Sequence, residues 1–340
     1  MGRLLRREDL TDDLAAAALS SILTGEATPA QIAGFAVGLR AKGETPEELA
    51  ALVRTMLSFA ERVEVSDGAP LVDTCGTGGD RAGTVNVSTT AALVVAGAGA
   101  RVAKHGNRAA SSQCGSADVL EALGVVIDLG PAGVARCIEE AGIGFCFAQR
   151  FHAALRFAAA PRKELGAPTT FNFLGPLANP AGATRRTVGV SDPAMAERLL
   201  GALDALGAEH ALVFYGHDGL DELTTTTTST VFELHGGEVT KWEVDPVALG
   251  LTAVERGALA GGDAAGNASA VHRVLAGEAG PVRDIVALNA AAGLLVAGLA
   301  DDLAAGLELA CATIDDGRAA AALDAFVRTS VAARDDDGGE

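Results

Sequence analysis

The chain has little positive charge, few aromatic rings and no apolar run long enough to stand out. Only four of its 340 residues are lysine, aromatics make up 4%, and the net charge is −18. Phosphate backbones and anionic membranes require a basic surface, so this balance argues against nucleic acid or membrane as the main partner. A small anionic ligand stays compatible, because a pocket needs only a few local cations or a metal. The five cysteines (Cys75, Cys114, Cys137, Cys146, Cys311) show no CxxC and no regular spacing. That fits reduced thiols in the cytoplasm better than a disulfide framework. The opening MGRLLRREDLTDD lacks the apolar segment of a signal peptide. The stretch IVALNAAAGLLVAGLA (285–300) falls short of the ~20 residues of a membrane span and carries Asn289, so it reads as a buried core helix. No internal repeat is visible.

What is present is a 49% hydrophobic content dominated by Ala, Val and Leu. It belongs to a chain longer than the ~100–200 residues of a usual single domain. The first 66 residues read as helices. TPAQ (28–31) and TPEE (45–48) each place Thr at an N-cap, Pro at the first helical position and Gln or Glu at the third. From residue 70, short apolar runs alternate with helical ones. Candidate strands are PLVD (70–73), RVAK (101–104), VVID (125–128), GFCFA (144–148), TVGV (187–190) and ALVFYG (211–216). This alternation predicts an α/β fold: a small helical N-terminal domain, then a larger α/β domain over 67–335 with a mostly parallel central sheet flanked by helices. STVFELHGGEVTKWEV (229–244) predicts a hairpin around Gly-Gly, and 336–340 a disordered tail.

The chemistry concentrates in loops that follow the predicted strands. DTCGTGGD (73–80) is rich in glycine, which lets backbone N–H groups approach a ligand and take positive φ. The GxxxxGK[ST] pattern is absent and GxGxxG fails at Arg81, so a plain tight turn and an anion-binding nest both remain open. NVST (86–89) precedes an apolar helix and is either an ordinary N-cap or part of a phosphate cup. KHGNRAASSQCGSADVLEALG (104–124) brings Lys104, His105 and Arg108 together with several serines. Open α/β sheets bind ligands beyond the carboxyl ends of their strands, where all three segments fall. The adjacent acids Asp221 and Glu222 follow a predicted strand and read by themselves as solvated loop charges.

The ordered set GTGGD, NVST and KHGNRAASS resembles the anthranilate phosphoribosyltransferase family. The likeness continues through GFCFAQRFHAALRFAAAPRKELGAPTTFNFLGPLANP (144–180) and DGLDELTTTTTSTVFEL (218–234). It implies two substrates, 5-phosphoribosyl-1-pyrophosphate (PRPP) and anthranilate, with Mg2+ as cofactor. By the family pattern, Gly76, Gly79, Asp80, Thr84, Asn86, Val87, Ser88, Thr89, Lys104, Ser112 and Ser116 contact PRPP. Gly76, His105, Asn107, His152 and Arg162 hold anthranilate, while Ser88, Asp221 and Glu222 hold magnesium. Lys104, Arg162 and Asn107 are the residues it implies for catalysis, with Arg162 suited to a carboxylate through its fork. The resemblance also implies that a segment near 164–185 returns to the helical domain, and that this domain carries a homodimer interface. The chain departs from the family at Gln149 and Ala153, where relatives usually have proline. Two rival readings share the fold: a pyrimidine nucleoside phosphorylase, and a nucleic-acid-binding relative without catalysis. Phosphorolysis of thymidine or uridine marks the first, and salt-sensitive DNA binding the second.

Overall fold

The computed structural model describes residues 1–66, 68–109 and 113–337. Both Thr-Pro signals fold as read. Thr28 caps the helix Pro29–Lys42 and Thr45 caps Pro46–Ser58, each in a reciprocal capping box. With Asp12–Leu23 these helices bury Leu19, Ile22, Leu39, Leu49, Leu52 and Met56. The same core takes in Ala158, Phe171, Phe173 and Leu174 from helices Arg156–Leu165 and Phe171–Leu177. Two helices far along the chain thus complete the helical layer.

Seven strands form one sheet: β1 (Leu71–Gly76), β2 (Arg101–Gly106), β3 (Ile143–Phe147), β4 (Arg185–Gly189), β5 (His210–Gly216), β6 (Ser229–His235) and β7 (Glu238–Val244). Their order is β3-β2-β1-β4-β5-β6-β7. The first five in space are parallel and the last two antiparallel. This is the mostly parallel α/β sheet expected, with the 229–244 hairpin turning at Gly236 and Gly237. Helices cover both faces. One side carries Val87–Gly97 and Pro281–Ala297, and the other carries Pro193–Ala205 and the helical layer.

VVID (125–128) is not a strand. Val125 and Ile127 are buried, but the Val126 amide donates to the Ser330 hydroxyl at 3.0 Å. A helix side chain takes the bond that a neighbouring strand would have supplied. The last helix, Arg318–Asp337, includes Asp336 and Asp337, which the sequence reading placed in a tail; residues 338–340 lie outside the described residues.

The chain enters the sheet at β1, moves outward through β2 and β3, then returns to the other side of β1 as β4. The crevice beyond the carboxyl ends of β1 and β4 is therefore a topological switch point, where open α/β sheets bind ligands.

Candidate active site

The loop leaving β1 is bent by positive φ at Gly78 (65°), Gly79 (89°), Arg81 (55°) and Gly83 (63°). Arg81 is one of two non-glycine residues in this conformation among the described residues, an uncommon state for a residue with a side chain. The loop is anchored on both sides. The Thr77 amide donates to Gly189 O at 2.9 Å, and the Ser191 hydroxyl donates to Gly78 O at 2.7 Å. Farther on, Thr84 forms a bridge with Ala260. Between these anchors the amides of Gly79, Asp80 and Arg81 have no hydrogen-bond partner among the described residues. Consecutive unpaired N–H groups in such a bend form a concave anion site.

Asp221 reaches into this loop, where its Oδ2 accepts from the Gly78 amide at 2.6 Å. Room for it comes from missing side chains. A Cβ on Gly76 would lie 2.5 Å from Asp221 Oδ2, and one on Gly189 would lie 1.7 Å from the Asp221 carbonyl oxygen. Gly189→Ala is accordingly expected to displace the acid loop, costing ~1–3 kcal/mol of stability and most activity. Thermal melts and PRPP affinity check this; an unchanged melt with unchanged affinity would contradict it.

The Asp221-Glu222 loop is itself braced. Asp218 accepts from the hydroxyls of Thr224 (2.8 Å) and Thr226 (2.5 Å), which gives part of the threonine run a structural role. Asn289, the polar residue inside the apolar helix Pro281–Ala297, bonds both the amide and the carbonyl of Leu223, at 2.9 and 2.8 Å. Glu222 Oε1 accepts from the Ser88 amide at 3.2 Å, at the start of helix Val87–Gly97. Burial and the neighbouring Asp80 push the Asp221 carboxyl up to about 7. Burial and Asp221 raise Glu222 well above the usual carboxylate range. Asp80 is close enough to raise the pKa of both Asp221 and Glu222, and adjacent carboxylates of this kind offer the oxygen ligands that a hard divalent cation such as magnesium prefers.

Other residues implied by the family pattern take different positions. Lys104 is 1% exposed, and its Nζ donates to Thr74 O at 2.6 Å. It sits mid-strand in β2, paired with Phe145 of β3, so its side chain is sealed inside the fold rather than presented to a ligand. Burial lowers its pKa, while Asp73, Cys75 and Glu222 hold it up. Val87 is 1% exposed and its amide is taken by Val85 O at 2.8 Å, so it offers a ligand neither side chain nor N–H. Asn86 spends its amide on Cys114 O (3.3 Å) and on Asn267 (2.8 Å). Asn267, buried on helix Ala264–Leu275, thus belongs to the site's support and had no sequence signal. Thr89 Oγ1 is buried without a partner. Ser116 begins helix Ser116–Ala122, beside Gly106 at the end of β2. Ser112 lies outside the described residues.

His105 and His152 form a buried edge-to-face pair, with ring centroids 5.1 Å apart. His105 Nδ1 bonds Gly175 O at 3.0 Å and His152 Nε2 bonds Ala178 O at 2.9 Å. Burial pushes their pKa values down to about 4 and about 3. Both rings are neutral hydrogen-bonding groups rather than cations. Below the ordinary histidine pKa the unfolded chain binds protons that these rings do not. They therefore favour unfolding as the pH falls towards 4 and are neutral in effect above about 7. Imidazole NMR shifts are expected to show both rings uncharged at pH 5.5; protonation there would contradict the burial argument.

Asn107 is exposed at the end of β2, its Oδ1 accepting from the Arg108 amide (2.8 Å) and from Gln149 Nε2 (3.2 Å). Gln149, one of the two departures from the family, therefore touches a residue that the family pattern implies for the acceptor. Arg162 lies in the last turn of Arg156–Leu165, half-buried, with its guanidinium 5.5 Å from the Phe171 ring. Among the described residues it has no ion pair, and burial lowers its pKa. A desolvated, unpaired arginine is a ready partner for a carboxylate.

Beneath the site, Asp73 (0% exposed) binds the His105 amide (3.0 Å), Asn179 (2.9 Å) and Arg186 (3.1 Å). Asn179 also binds Ala103 O at 2.8 Å, and Arg186 binds Leu177 O at 3.1 Å. This network ties β1, β2 and β4 to the segment that returns to the helical layer.

Comparison with known proteins agrees with this architecture. Residues 1–60 match the helical bundle domain of the glycosyl transferase family, and residues 68–320 match its a/b domain. The chain is 56% identical to an anthranilate phosphoribosyltransferase of Nocardioides and 53% identical to one of Roseiflexus castenholzii, with 96% of each chain covered in both cases. A crystal structure of the Thermus thermophilus anthranilate phosphoribosyltransferase superposes with a TM-score of 0.92 at 42% identity, covering 97% of this chain and 98% of that one. The Saccharomyces cerevisiae enzyme, solved in complex with PRPP and Mg, gives 0.86 at 26% identity, covering 94% and 92%.

Proposed function

Since the chain belongs to the glycosyl transferase family and, within it, to the anthranilate phosphoribosyltransferases, we propose that its switch-point crevice moves the phosphoribosyl group of PRPP onto the amine of anthranilate. The products are N-(5-phosphoribosyl)anthranilate and pyrophosphate, and the reaction serves tryptophan biosynthesis. The observation that carries this reading is the set of unpaired amides at Gly79, Asp80 and Arg81 in the loop that Asp221 joins through the Gly78 amide.

The ribose is activated by its own leaving group, so no side-chain nucleophile is required. The C1–O bond to pyrophosphate breaks as the C1–N bond forms, and negative charge grows on the leaving oxygens. The nest amides are fixed before the reaction, so they stabilise that charge without reorganising. Asp221, Glu222 and the Ser88 hydroxyl would hold magnesium, which when bound neutralises pyrophosphate charge. Lys104 acts from behind β1 as a buried counter-charge to Glu222 and Asp73, and so positions the site rather than touching substrate. Arg162 binds the anthranilate carboxylate, and Asn107 with Gln149 sets the edge of that pocket. The aniline nitrogen attacks as the neutral amine at pH 7. Once the C1–N bond forms, the nitrogen carries an extra proton and is strongly acidic. That proton passes to the departing pyrophosphate or to water, so no charged histidine is required. We place the enzyme in the cytoplasm as a homodimer through its helical layer; no described helix is long and apolar enough to cross a membrane.

Arg162→Ala tests the acceptor assignment. Losing a charge-assisted pair is expected to raise the anthranilate KM roughly 10–100-fold, corresponding to about 1.5–3 kcal/mol, with the KM for PRPP unchanged. An unaltered acceptor KM would remove Arg162 from the site.

A further inference from the structure

A second cluster of ligating side chains lies at the opposite ends of the strands. β5 begins at His210, whose cross-strand partner on β6 is His235. Their rings stack with centroids 4.0 Å apart and planes within 3°. Glu233 precedes His235 by two positions, so both point to the same face of the sheet. Glu233 Oε1 lies 2.8 Å from His210 Nε2. One ligand atom from each of the three residues lies within 4.8 Å of the other two, a grouping unique among the described residues.

The surroundings prepare the carboxylate. Trp242 of β7 donates its indole N–H to Glu233 Oε2 at 2.9 Å, leaving Oε1 directed to His210. A second partner of this kind is what orients a metal-ligating carboxylate. The nearby cation Arg185, register partner of His210 on β4, is engaged by Glu209 at 3.6 Å and by the Ala297 carbonyl. His210 and Glu233 are held in place with side-chain exposures of 6% and 19%, whereas His235 is exposed at the end of β6.

We propose that His210, Glu233 and His235 form a binding site for a borderline divalent transition metal of the zinc or nickel class. Two imidazole nitrogens and one carboxylate oxygen suit such an ion, with water completing its shell. Magnesium prefers oxygen ligands alone and is a poor match here. Stacked imidazoles direct their lone pairs in parallel planes, so one ring must tilt to share an ion. His235 is the exposed ring and turns, while His210 stays fixed. The bound ion clasps the hairpin of β6 and β7 to β5. The site lies along the length of β5 from the Asp221 loop, roughly 20 Å at ~3.3 Å per residue, so it is separate from the catalytic crevice.

Trp242 is the chain's only tryptophan and reports on this cluster alone. The test titrates the full chain with Ni2+ in excess Mg2+, reading tryptophan fluorescence. Wild type is expected to show saturable quenching at one equivalent, reversed by Zn2+. In His235→Ala the midpoint is expected to weaken at least about tenfold, as loss of one of three ligands demands, with magnesium-supported transferase activity unchanged. Glu233→Gln, which keeps an acceptor for Trp242, is expected to weaken it likewise. Absence of saturable quenching in wild type, or the same midpoint in His235→Ala, overturns the proposal.

Discussion

Replacing both switch-point acids by their amides, Asp221→Asn with Glu222→Gln, is expected to lower kcat/KM roughly 10²–10³-fold, the size of losing one preorganised stabiliser of developing charge. The same variant is expected to be more stable than wild type when neither metal nor substrate is present. The two effects share a cause. Burial, together with the like charges of Asp80 and Glu222 beside the buried Asp221, raises the pKa of both Asp221 and Glu222. The amides keep the oxygen acceptors for the Gly78 and Ser88 N–H groups while removing the repulsion. A gain of about 0.5–2 kcal/mol is typical of relieving such functional strain. Denaturant melts without ligand and steady-state assays with Mg2+ check both halves. A variant that loses stability and activity together would make these acids structural rather than functional.

The second large effect concerns the floor of the site. Asp73→Ala is expected to cost about 3–5 kcal/mol, because Arg186 would stay buried without its carboxylate. Arg186 is 4% exposed, and its other acceptors are carbonyl oxygens. The change also frees the His105 amide and one Asn179 donor. The loss should therefore extend from the sheet into the returning segment. Urea unfolding with an unchanged slope and a lowered midpoint is the expected result. A midpoint within error of wild type would mean that the network contributes nothing net.

Local chemistry made much of this architecture legible. The Thr-Pro capping boxes, the alternation of apolar runs and the Gly-Gly hairpin each depend on neighbours in sequence, and each folded as read. The segment 125–128 misled because an apolar run signals burial, not pairing, and its polar partner is 204 residues away. The loops of the site were legible as loops, but not their inner arrangement. Nothing local says that Arg81 adopts positive φ, or that Asp221 reaches Gly78 across 143 residues. Lys104 is a rare cation near serines, yet both faces of its strand are covered, so it is buried instead. Asn267, Ser191 and the Asp73–Arg186 pair carried no motif, because support residues are selected by contacts between distant segments.

The central claim is that the crevice at β1 and β4 joins anthranilate to the ribose of PRPP. Anthranilate fluorescence, followed on adding PRPP and Mg2+ to the wild-type chain, tests it most directly. Loss of fluorescence with one pyrophosphate released per anthranilate consumed is the predicted result. Steady fluorescence while PRPP is bound, or phosphorolysis of thymidine or uridine by the same preparation, would contradict it.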